Sequence, residues 1–192
     1  ALGGIAALSA GTSYQAFSYE LKCAGRALCT WTSGWEIAYL LIQVGSMNAM
    51  LIAVAYTCTT GAIQRRLILF ACINTAIYFC VVAVGAYLPN RFMISFEMLV
   101  LFSTPAFFLY FFINGLGYLK HRSQTDRVLL GAWTIMVLSN VLYYVYFLLG
   151  YTEVLWSRGY WFSANDLLHV LMLVWVIYVG TAVVHVVGSN AE

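Results

Sequence analysis

Residues 67–88 read LILFACINTAIYFCVVAVGAYL. No charge interrupts this stretch, and its apolar residues run on continuously instead of alternating with polar ones. A helix needs about 20 predominantly apolar residues to cross a bilayer, while a buried strand is only a few residues long. The stretch therefore reads as a transmembrane helix. A transmembrane β-barrel is excluded, because its strands would alternate apolar and polar side chains.

Four further stretches meet the same requirement, at 35–57, 92–119, 128–150 and 162–188. A sixth, at 1–19, is rich in Gly, Ala, Ser and Thr. Gly3, Ala7 and Gly11 form a small-residue stripe along it, of the kind that lets a neighbouring helix approach closely. It lacks the basic segment of a signal peptide. The expected fold is all-α: a polytopic membrane bundle of six transmembrane helices, forming a single domain over 1–192. The chain starts with Ala, which leaves room for a seventh helix upstream.

Composition agrees. Of 192 residues, 63% are hydrophobic and 8% charged, against about 25% charged in a soluble domain. Mean hydropathy is +0.86. A surface with so few charges excludes a soluble globular protein and a disordered chain. A net charge of +2 gives no electrostatic footprint for nucleic acid. The first partner is the lipid bilayer.

The connections are short, so neighbouring helices run antiparallel. Turn signals fall at Thr59-Thr60-Gly61 and Pro89-Asn90, and a polar run extends from Lys120 to Arg127. Pro105 interrupts the fourth span and predicts a kink there. Basic residues set orientation. Arg65-Arg66 and the run Lys120 to Arg127 are tight clusters beside helix ends, and are expected in the cytoplasm. Lys22, Arg26, Arg91 and Arg158 then lie outside, with Trp31, Trp35, Trp156 and Trp161 as an aromatic belt. Cys23 and Cys29 share the first outer loop, where an oxidising face favours a disulfide. Cys58, Cys72 and Cys80 read as small apolar fillers.

An ionisable group inside a membrane helix is costly and marks a candidate site. Glu36 opens the second span, Glu97 lies inside the fourth, and Asp166 and His169 begin the last. All four fall in the outer third of the bilayer in this orientation, with Glu20 as a fifth member. Asp166 and His169 share one helical face. Glu36, Tyr39, Gln43, Ser46, Met47 and Met50 form a polar stripe expected to face the bundle interior. Asn74, Asn114 and Asn140 are expected to hydrogen-bond across helices.

Three carboxylates and an imidazole suit a divalent metal held by Glu36, Glu97, Asp166 and His169. They equally suit a shared proton, with Glu36 and Asp166 as catalytic acids on a lipophilic molecule. The competing reading is local: Glu36 and Asp166 as first-turn residues favoured by the helix dipole, and His169 bonded to a neighbour.

Three histidines, with His121 in a loop and His169 and His185 on one helix, exclude a di-haem site and a three-histidine zinc hydrolase. Lys22 and Lys120 lie at helix ends, which excludes a retinal Schiff base within the bundle. Ser46 lacks the Gly-x-Ser-Gly setting of a rhomboid-type protease.

One string carries a resemblance. Trp35-Glu36-Ile37-Ala38-Tyr39 resembles the Trp-Glu-x-x-Tyr string of fungal integral-membrane terpene cyclases. The resemblance implies that Glu36, with Asp166 as the matching acid, protonates an epoxide or alkene of an isoprenoid or other lipid. It covers five residues, and those enzymes have seven helices. Two function classes result: a membrane protein with an outward-facing carboxylate/His site, or a non-catalytic accessory subunit that packs against other membrane subunits.

Overall fold

In the computed structural model, residues 32–189 and Ile5 are described. Apart from Ile5, the predicted helix at 1–19 lies outside them, as do Glu20, Cys23, Cys29 and Trp31. Every regular element among the described residues is helical. The order is α1 Gly34–Cys58, α2 Gly61–Tyr87, α3 Phe96–His121, α4 Gln124–Leu148, a short α5 Tyr151–Ser157, and α6 Ala164–Tyr178. A π-helical segment Val179–Val183 and a last turn α7 Val184–Ser189 continue α6.

Five of these stretches are long and apolar enough to cross a membrane: α1, α2, α3, α4 and the continuous stretch Ala164–Val186. They coincide with the five strong spans in the sequence. The boundaries differ for local reasons. Ser33 accepts the Glu36 N–H and starts α1. The chain leaves α1 at Thr59, whose backbone N–H and hydroxyl both donate to the Ala55 carbonyl. Asn90 Oδ1 accepts from the N–H groups of Phe92 and Met93. That turn delays α3 to Phe96, four residues later than hydropathy alone placed it. Ser123 Oγ accepts from Asp126 N–H and starts α4 one turn earlier than expected.

Gly150 holds a left-handed backbone (φ +65°) between α4 and α5, a conformation glycine adopts without steric cost. Helix α3 continues through Pro105.

The chain packs as two units, Ala1–Leu109 and Tyr110–Glu192. In the first, Leu40 and Val44 of α1, Tyr78 and Val82 of α2, and Met98 and Leu99 of α3 share one core. The Tyr78 and Phe102 rings meet with centroids 5.1 Å apart. In the second, α6 is fastened to α4 by two polar anchors on carbonyls. Trp175 Nε1 donates to the Ala132 carbonyl at 3.0 Å, and Tyr178 Oη to that of Val128 at 3.1 Å. At the opposite end of α4, Tyr146 Oη donates to the Phe162 carbonyl. Many large apolar side chains remain exposed, among them Leu69, Ile73, Phe108, Phe112, Leu173 and Val176. That outward apolar surface is what lipid, not water, would cover.

Candidate functional site

The four predicted site residues all lie at helix starts. Glu36 is in the first turn of α1 and is buried. Its carboxylate accepts from the Thr32 hydroxyl at 3.0 Å, while its N–H is capped by Ser33. The predicted stripe on α1 does turn inward in part. Glu36, Ser46 and Met47 are buried and Tyr39, Gln43 and Met50 half-buried, beside the buried Leu40, Val44, Asn48 and Leu51.

Glu97 sits less deep than the sequence suggested. Because α3 opens at Phe96, Glu97 belongs to its first turn and is exposed. Beside it, Ser95 Oγ accepts the Met98 N–H and caps the helix start.

Asp166 closes a capping box at the start of α6. Its Oδ2 accepts from Ser163 N–H at 2.8 Å and from the Ser163 hydroxyl at 2.7 Å. Ser163 Oγ in turn faces the Asp166 N–H at 3.3 Å. One turn on, exposed His169 places Nδ1 2.7 Å from the Asn165 carbonyl. Glu36 and Asp166 are thus each engaged with the chain within four residues of themselves. Among the described residues, no three His, Cys, Asp or Glu side chains gather into a group that could hold a metal ion.

The better-formed polar cluster lies elsewhere, in the second unit. Asn114 of α3 is fully buried and Asp126 of α4 nearly so. Asn114 Nδ2 donates to Asp126 Oδ1 at 2.9 Å, and Trp133 Nε1 donates to Asn114 Oδ1 at 2.9 Å. An indole N–H can only donate, so it fixes the amide orientation and aims the NH₂ at the carboxylate. Tyr110 stacks on Trp133 with centroids 4.1 Å apart and planes 14° apart. Asp126 was read from the sequence merely as part of a polar loop. The usable signal was its spacing from Trp133, two turns along one face of α4.

A second polar set occupies the first unit. Asn74 Nδ2 donates to the Phe102 carbonyl at 2.9 Å and lies 3.3 Å from Asn48 Oδ1. Asn74 and Asn114 thus bond across helices, as expected. Asn140 does not: its Nδ2 donates to the Met136 carbonyl in its own helix.

Comparison with known proteins identifies no relative. No family model matches the chain, and no curated protein or solved structure matches it.

Proposed function

We propose that the chain is a multi-pass membrane protein acting as a non-catalytic accessory subunit, which packs within the bilayer against other membrane subunits. The observation that carries this reading is the local engagement of the predicted acids. Glu36 and Asp166 each hydrogen-bond a Ser or Thr at their own helix start, and Glu97 stands exposed in the first turn of its helix. A carboxylate serving the first turn needs no ligand to account for it. The short loops add support, since among the described residues none is long enough to form a separate domain.

The test compares Glu97→Gln and Asp166→Asn with the parent chain purified from membranes. Unchanged metal content and unchanged co-purification with neighbouring subunits are expected, with stability lowered by about 1 kcal/mol at most. A stoichiometric metal in the parent chain that both substitutions release would overturn the reading in favour of the carboxylate/His site.

One observation favours a second reading. Glu36 alone of the four is buried, on the inward stripe of α1. In that reading Glu36 is an acid or cation ligand acting on a lipophilic molecule, as the cyclase-like string implies, with Asp166 as the second acid. Turnover of an isoprenoid epoxide that Glu36→Gln abolishes without loss of folding would establish it.

We also place the Arg65-Arg66 cluster and the Lys120 to Arg127 run on the cytoplasmic side. Single cysteines introduced beside Arg65 and Arg122 should then be shielded from an impermeant thiol reagent added outside intact cells. Labelling of both would invert the orientation.

A further inference from the structure

Within the first unit, a groove of about 630 Å³ runs between α2 and α3. Arg66 and Phe70 form one wall, and Leu101, Thr104, Pro105 and Phe108 the other. The α3 residues follow helical spacing, so they make one continuous stripe. The Thr104 hydroxyl is turned back onto the Val100 carbonyl at 2.7 Å, which leaves its methyl and the Pro105 ring as the wall. The groove lining is therefore almost wholly hydrocarbon; Arg66 is the charged residue that borders it, and Arg65 precedes Arg66 on α2. Among the described residues no carboxylate pairs with either arginine.

From this arrangement we propose that the α2–α3 groove binds one anionic phospholipid. An acyl chain lies along Phe70, Leu101, Pro105 and Phe108, and the phosphate meets Arg66 with Arg65 beside it. An apolar slot at membrane depth selects a chain but no headgroup. The two arginines, which no carboxylate among the described residues pairs, supply the headgroup selection, since basic residues beside a helix end attract anionic lipid. Both are in the second turn of α2, where a long side chain reaches the headgroup level by snorkelling.

The test titrates the purified full chain in neutral detergent with phosphatidylglycerol, phosphatidylcholine and glycerol phosphate. Native mass spectrometry counts bound lipid, and thermal unfolding reports stabilisation. Phosphatidylglycerol should remain bound and raise the melting temperature more than phosphatidylcholine, and glycerol phosphate should do nothing. The double variant Arg65→Gln/Arg66→Gln should lose the preference, by about fivefold per arginine. Leu101→Trp should fill the groove and weaken both lipids. Leu101 is 60% exposed, so that variant should still fold. Equal binding of the two lipids by the parent chain would overturn the proposal. So would a preference that survives loss of both arginines, or stabilisation by glycerol phosphate equal to that by phosphatidylglycerol.

Discussion

Asn114 and Asp126, on successive helices, are joined side chain to side chain at 2.9 Å in a buried setting. Trp133 holds the other end of the Asn114 amide. Asn114→Leu keeps the volume but strands a carboxylate and an indole N–H. Each unsatisfied buried group costs about 1–3 kcal/mol, so a loss of at least about 2 kcal/mol is expected in reversible unfolding in detergent. Asp126→Asn retains an acceptor for Asn114 and removes a buried charge. Its effect should be within about 1 kcal/mol and of either sign. Equal losses for the two variants would show that the charge of Asp126, not the amide bridge, is what matters.

The same carboxylate explains a glycine. A Cβ on Gly117 would lie 2.5 Å from Asp126 Oδ2, whereas one on Gly115 would meet nothing within 4 Å. Gly117→Ala should therefore push Asp126 off Asn114 and cost about 1–3 kcal/mol. Gly115→Ala, on the same helix, should be neutral or gain up to about 1 kcal/mol from helix propensity. Thermal melting of the two variants side by side checks the contrast, and equal effects would refute the close packing of Asp126 on Gly117.

Long apolar runs were legible because hydrocarbon leaves a chain little choice of structure. The five strong spans were found for that reason. Helix starts were not, because they depend on which side chain caps which N–H. Hydropathy counted Phe92 to Ser95 into the α3 span, while Asn90 and Ser95 end the turn and begin the helix at Phe96. That shift moved Glu97 from the second turn of the expected span to the exposed first turn of α3. Asp126 was overlooked for the opposite reason. It lies in a polar run of the sequence, yet the fold buries it. Asp166 was readable both as ligand and as cap, and its geometry is that of a capping box. Sequence spacing alone cannot separate those roles, since both need an acid in the first turn.

Tyr78 offers a test of burial without a partner. Its ring is fully buried against Phe102, and its hydroxyl has no hydrogen-bond partner among the described residues. Tyr78→Phe keeps the ring contact and removes the orphan group. Stability should rise by about 1–2 kcal/mol, the desolvation cost of an unmade hydrogen bond. A fall of similar size would mean that the hydroxyl holds a buried water or another polar group.

Tyr178 of α6 packs closely over Gly131 of α4. A Cβ on Gly131 would collide with Tyr178 Oη, and the ring Cζ behind it would lie 3.0 Å away. The hydroxyl cannot simply swing aside, because it donates to the Val128 carbonyl on the same helix as Gly131. Gly131→Ala should thus separate α6 from α4 locally and cost about 1–3 kcal/mol. Tyr178→Phe alone loses the bond to Val128, a loss of about 0.5–1.5 kcal/mol. Combining the two removes the worst collision while leaving the milder one at Cζ. The double variant should therefore be more stable than the sum of the single losses, by about 0.5 kcal/mol or more, as expected for residues in contact. Strict additivity in the four-way comparison of melting curves would place the Tyr178 hydroxyl away from Gly131 and break the packing described for α4 and α6.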